Sequence, residues 1–155
     1  MQVPTFSAFA IIHGMDAEYI HLLPEGPLPD LTGSAFRAVV IAETEVTGEW
    51  RGRVSDWLVK SGCLYMMAWG RDCSLWDDSV DWSNLEQFDY GDIPADRFVM
   101  TTWHNGEPLE EMFWFCEHVA RHPTVALNRI ILVHVSPFER KSKLLANYRD
   151  SGRIA

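Results

Sequence analysis

The run Phe36-Arg37-Ala38-Val39-Val40-Ile41-Ala42 is apolar at every position but one and ends in a β-branched stretch, the composition of a strand covered on both faces. A second such run, Cys63-Leu64-Tyr65-Met66-Met67-Ala68-Trp69, ends at Gly70. The segment between them has helical periodicity: Trp50, Val54, Trp57 and Leu58 recur at spacings that share one face. Thr47 stands where an N-cap belongs and Gly62 where a left-handed stop belongs. Strand, helix and strand in this order predict a right-handed crossover between parallel strands.

The same signals recur on both sides. Arg97 to Trp103 and Arg129 to Val135, the latter with Ile130-Ile131-Leu132-Val133, read as further core strands. Between them, Leu109, Met112, Phe113, Cys116, Val119 and Ala120 form one stripe of a helix over Glu107 to Arg121, with Pro108 in its first turn and Pro123 just beyond its end. Lys141 to Tyr148 predicts a closing helix with Leu144 and Leu145 inward. Ser83-x-x-Glu86 resembles a capping box and predicts a short helix ending near Tyr90-Gly91. Upstream, Phe6 to His13 and Tyr19 to Leu23 precede the proline-rich Pro24-Glu25-Gly26-Pro27-Leu28-Pro29 and read as a hairpin or edge strands.

The whole pattern is βββαβαβαβα. It predicts an α/β fold: a Rossmann-like (flavodoxin-like) three-layer sandwich with a mostly parallel sheet. At 155 residues the chain has the size of one domain and buries about two-thirds of its unfolded surface on folding. The expected organisation is residues 1–35 as the hairpin and Pro-rich loop, 36–136 as the α/β core, and 137–155 as a basic helix and tail. A hydrophobic fraction of 47% excludes global disorder.

Partner classes follow from charge. Twenty-two acidic against 13 basic side chains give a formal charge of −9, which repels nucleic acid and favours cationic partners or simple solubility. No apolar run approaches the roughly 20 residues that span a bilayer. Met1-Gln2-Val3-Pro4 does not open a signal peptide, so the expectation is a cytoplasmic protein without membrane contact. Cys63, Cys73 and Cys116 contain no C-x-x-C pair, which argues against a disulfide framework or a thiolate zinc site. The tail differs from the rest of the chain: Arg140, Lys141, Lys143, Arg149 and Arg153 face a single Asp150.

In an open parallel sheet, ligands bind beyond the carboxyl ends of the strands. Here those ends carry Glu43-Thr44-Glu45, Arg71-Asp72-Cys73-Ser74, Thr102-Trp103-His104-Asn105 and His134-Val135-Ser136. Asp72, Cys73, His104 and His134 are the catalytic candidates, because their side chains transfer protons or attack as nucleophiles once within hydrogen-bond reach. A Cys73–His104 pair would be a thiol with its base, although no protease signature surrounds either residue. Thr47-Gly48-Glu49-Trp50-Arg51-Gly52 lacks the P-loop lysine and the dinucleotide-binding spacing, and no cofactor is implied.

The most unusual stretch is acidic and aromatic. Asp72, Asp77, Asp78, Asp81, Glu86, Asp89, Asp92 and Asp96 interleave with Trp76, Trp82, Phe88 and Tyr90. The stretch lacks the ligand alternation, central glycine and terminal glutamate of an EF-hand, so no metal site is assigned to it. Trp76, Asp77, Asp78, Asp81 and Trp82 read instead as a protein-binding face, with aromatic anchors and acids that steer a basic partner. The bland reading is a solvated acidic loop whose tryptophans plug the core. Trp114 falls opposite the apolar stripe of its helix, among Glu110, Glu117, His118 and Arg121; the pattern predicts an exposed ring, a contact for a partner or a second copy unless a neighbouring loop or the C-terminal segment covers it. His118 and His122 share that face at i, i+4, too few ligands for zinc.

The stretch Trp57-Leu58-Val59-Lys60-Ser61-Gly62-Cys63-Leu64-Tyr65-Met66-Met67-Ala68-Trp69-Gly70-Arg71-Asp72-Cys73 and the following Trp76-Asp77-Asp78-Ser79-Val80-Asp81 resemble a family of short bacterial proteins known only as a domain of unknown function. Phe98-Val99-Met100-Thr101-Thr102-Trp103-His104 and Glu107-Pro108-Leu109 are similar to it as well. The likeness covers roughly residues 36 to 136. It implies a bacterial source and carries over neither an activity nor site residues.

Two functions are therefore expected in competition. One is a non-catalytic interaction protein, such as an immunity or regulatory partner, binding another protein through Trp114 and the acidic aromatic stretch. The other is a small-molecule enzyme or sensor with its polar site at the strand ends.

Overall fold

A computed structural model describes residues 16–154. The expected strand over Phe6 to His13 lies outside the described residues. From residue 16 onward the elements are β1 (Glu18–Leu22), β2 (Phe36–Ala42), α1 (Gly48–Ser61), β3 (Cys63–Gly70), α2 (Cys73–Gln87), a 3-10 turn (Ala95–Arg97), β4 (Met100–His104), α3 (Leu109–His118), β5 (Arg129–Val135) and α4 (Lys141–Gly152). Five strands form one sheet in the order β1-β5-β2-β3-β4, and every neighbouring pair is parallel.

β2 is central, and all seven of its residues are buried. Its alternate side chains feed two cores, as the period of two requires. Phe36, Ala38, Val40 and Ala42 meet Trp50, Val54 and Leu58 of α1 and Trp76 and Val80 of α2. Val39 and Ile41 face the opposite way, toward Met112, Phe113 and Cys116 of α3 and Leu144 and Tyr148 of α4. The expected three-layer Rossmann-like sandwich is thus formed, with α1 and α2 on one face and α3 and α4 on the other. Each large aliphatic side chain buried in these layers contributes about 1.5–3 kcal/mol. Trp50 and Trp76 join the two helices of the first layer edge to face, 6.4 Å between ring centres.

The crossover from β2 to β3 is built as its residues predict. Thr47 Oγ1 accepts from the Trp50 amide at 3.1 Å, and Gly62 ends α1 with φ of 107°. Gly70 ends β3 with φ of 98°, and a Cβ there would lie 2.2 Å from the Ala42 carbonyl oxygen. Only glycine lets the chain turn so close to β2.

Several element boundaries depart from the reading of the sequence: α3 spans Leu109–His118 rather than Glu107 to Arg121, and α4 continues past Tyr148 to Gly152. The 83–90 segment is not a separate short helix but the end of a 15-residue helix that begins at Cys73. Its inward positions include Asp77, Ser83 and Asn84, so the apolar signal is diluted and the capping-box pattern falls inside the helix. β4 starts at Met100 rather than Arg97, because residues 95–97 form a 3-10 turn instead.

Candidate functional site

The chain moves outward from β2 through β3 to β4, then returns on the other face to place β5 on the opposite side of β2. The carboxyl ends of β2 and β5 thus lie at a topological switch point, where the following helices diverge to opposite faces. The Glu43 amide extends the ladder to the Val135 carbonyl at 3.0 Å, which sets the Glu43 carboxylate beside His134. His134 Nε2 and Glu43 Oε1 are 2.6 Å apart, and His134 Nδ1 and the Tyr19 hydroxyl 2.7 Å.

One hydrogen assignment satisfies the whole chain of groups. The Arg140 amide donates to the Tyr19 oxygen at 3.0 Å, Tyr19 donates to Nδ1, and Nε2–H donates to Glu43. Arg140 lies 3.6 Å from the other Glu43 oxygen. Burial is the main cause that pushes the Tyr19 phenol above its ordinary value, so Tyr19 keeps its proton as a donor. His21, the register partner of His134, turns its Nε2 to the Ser136 carbonyl at 2.7 Å.

The four catalytic candidates lie along the carboxyl edge of the sheet, but their side chains do not converge. Cys73 packs in the α1/α2 core, whereas the His104 ring lies on the other face against Phe115 of α3, 4.8 Å between centres. His104 is held by Thr102 at 2.9 Å and Glu107 at 3.3 Å, and the sheet itself separates it from the thiol as a base. Burial raises the Cys73 thiol above its ordinary value, the opposite of nucleophile activation. Asp72 adopts a left-handed conformation at the start of α2, with φ of 56° and no side-chain cap. His134 stands three strand spacings from His104, about 14 Å.

The acidic aromatic residues are sorted by α2. This helix runs antiparallel along β4, tied at two levels: Asp81 accepts from the Thr101 hydroxyl at 2.8 Å, and Asn84 accepts from the amide of Val99, just before β4, at 2.9 Å. Asp77 lies one turn before Asp81 on the helix, and Trp103 two residues beyond Thr101 on the strand. Trp103 shares the α2-facing side of the strand with Thr101 by alternation, and its ring is 53% exposed. Trp82, next to Asp81, is 61% exposed and meets Tyr90 edge to face at 6.0 Å. One carboxylate oxygen from each of Asp77, Asp78 and Asp81 lies within 4.8 Å of the others.

Trp76 departs from this face: it is fully buried, because it points toward Trp50, and it is a core residue. Trp114 is 37% exposed, and its ring nitrogen donates to the Ile154 carbonyl at 2.8 Å. The C-terminal segment therefore covers one edge of that ring. His118 and His122 serve separate carbonyls, those of Gly152 and Phe98, each at 2.8 Å.

Sequence reasoning did not single out Trp103, Thr101 or Tyr19. The alternation along Thr101-Thr102-Trp103 was a usable signal for the first two. The Tyr19–His134 contact spans 115 positions and leaves no local trace. A cleft of about 570 Å³ opens at the other end of the sheet, lined in part by Glu18, Ser34, Asn128 and Arg129; there Glu18 neutralises Arg129 at 2.6 Å.

No curated protein matches the chain. Residues 17–151 match a family described as a domain of unknown function, DUF7684. That span takes in β1, the whole switch point and the α2/β4 flank, and the chain belongs to this family.

Proposed function

We propose that this domain is a non-catalytic protein-interaction module that docks a basic segment of its partner along the α2/β4 flank. The observation that carries the reading is a pair of exposed rings on one flank, Trp82 beside Asp81 on α2 and Trp103 on the α2-facing side of β4. Tryptophan supplies large anchoring area at low entropic cost, and surrounding charge selects and steers the partner. β4 also ends the sheet among the described residues, so its outer backbone groups are a template for an added strand. None of the ion pairs among the described residues engages Asp78, whose exposed carboxylate can steer a basic partner. Native mass spectrometry of gently purified protein tests the proposal. A second polypeptide on the wild type that is absent from a W82A/W103A variant supports it, and equal retention by both proteins counts against it.

A second reading has its own observation. The Glu43–His134–Tyr19 chain lies at the switch point where doubly wound folds bind ligands, and it would suit a small-molecule site at the strand ends. A metabolite that copurifies with the wild type and is lost in H134Q favours this reading; wild-type protein free of any small molecule removes its support.

A further inference from the structure

Asp77, Asp78 and Asp81 occupy neighbouring positions on adjacent turns of α2, with oxygens inside 4.8 Å of one another. Charges of one sign at that distance repel, and the protein supplies little to offset them. Among the described residues no ion pair reaches these carboxylates: the paired arginines are Arg53 with Glu49, Arg71 with Glu45, Arg129 with Glu18 and Arg140 with Glu43. The Thr101 hydroxyl donates to Asp81 Oδ1.

Asp77 supplies an independent observation. Its side chain is buried, only 5% of the residue being exposed, and its Oδ1 has no hydrogen-bond partner. A carboxylate oxygen taken out of water without a donor is costly, and native structures rarely leave one so. Such a group is completed by a proton or by a cation. A proton would satisfy one oxygen and leave the other two carboxylates facing each other, whereas a cation satisfies all three.

We propose that Asp77, Asp78 and Asp81 form a binding site for a hard divalent cation of the Mg²⁺ or Ca²⁺ class. The donor set is oxygen throughout, with neither histidine nor cysteine in the cluster, which selects hard cations over zinc or copper. Asp77 supplies the buried ligand and Asp78 the exposed one, so the outward coordination positions fall to water. Thr101 acts as a positioning residue, fixing the Asp81 carboxylate from β4. The inference shares a face with the docking proposal but does not depend on it, because W82A/W103A keeps all three carboxylates.

Isothermal titration of chelator-treated protein with MgCl₂ and with CaCl₂, paired with thermal unfolding, tests the site. The expected result is saturable binding of one cation per chain with a rise in Tm, both lost in D81N and weakened in the exposed-position variant D78N. Thr101→Val, which keeps shape but removes the hydroxyl, is expected to weaken affinity about tenfold. Circular dichroism confirms that each variant is folded. No saturable binding of either cation to the wild type overturns the proposal. So does undiminished binding in folded D78N and T101V, which would mark a diffuse surface effect. Carboxyl NMR showing that Asp77 holds its proton at neutral pH with excess cation present overturns it as well.

Discussion

His134 and Glu43 are joined at 2.6 Å across the ends of β5 and β2, with the imidazole fully buried. Their contact bridges two neighbouring strands whose following helices lie on opposite faces of the sheet. Removing the carboxylate leaves a buried N–H without its partner. Glu43→Ala is expected to cost about 1–3 kcal/mol. Glu43→Gln, which retains an acceptor oxygen, is expected to cost less, and Tyr19→Phe about 1 kcal/mol. Urea unfolding of the three variants measures the order.

The cysteines supply a second prediction. Burial raises the Cys63 thiol to about 12 and the Cys116 thiol to about 11, and Cys73 is raised for the same reason. A thiol-reactive dye at pH 8 should leave all three unmodified in the native protein and label all three in guanidinium. Rapid labelling of native Cys73 would restore it as a nucleophile.

What the sequence made legible was whatever depends on neighbours along the chain. The strand over Phe36 to Ala42, the Thr47 cap and the Gly62 stop were readable because apolar period, cap and φ are local properties. α2 was misread because its inward face includes Asp77, Ser83 and Asn84; Ser83 bonds to Asp56 of α1 and Asn84 to the Val99 amide just before β4, roles that exist only once those segments lie beside the helix. Of the catalytic candidates, Cys73 and His104 are parted by the sheet, since consecutive strand ends can direct side chains to opposite faces. His134 kept a polar network, but its partners Tyr19 and Glu43 come from strands 115 and 91 positions away. Trp76 and Trp82 looked alike in the sequence, and only helix rotation relative to the sheet separates a core ring from a surface one.

That separation is measurable. Trp76→Ala opens a cavity against Trp50 and is expected to destabilise by about 3–5 kcal/mol. Trp82→Ala removes an exposed ring and is expected to stay within about 0.5 kcal/mol of the wild type. Chemical denaturation gives both values, and a large loss for Trp82→Ala would show that its ring belongs to the core.

The paired aspartates predict a pH trend in cation-free protein. A carboxyl whose folded pKa lies above its unfolded value binds its proton more tightly in the native state. Its contribution favours folding below the unfolded value, about 3.9 for aspartate, and is lost as pH rises through the raised folded value. Asp77 and Asp81 are both raised. Stability in chelator should therefore carry a downward component with rising pH across that window, and D77N should flatten it. Unfolding free energies at several pH values, compared between the two proteins, give the sign.

Hydrogen–deuterium exchange on the domain, free and with its copurified partner bound, tests the docking account most directly. The account predicts that the partner slows exchange in residues 72–90 and 98–104, the α2/β4 flank, and leaves the carboxyl ends of β2 and β5 unchanged. Protection confined to the switch point around Glu43 and His134, with the α2/β4 flank exchanging as in the free protein, would contradict it.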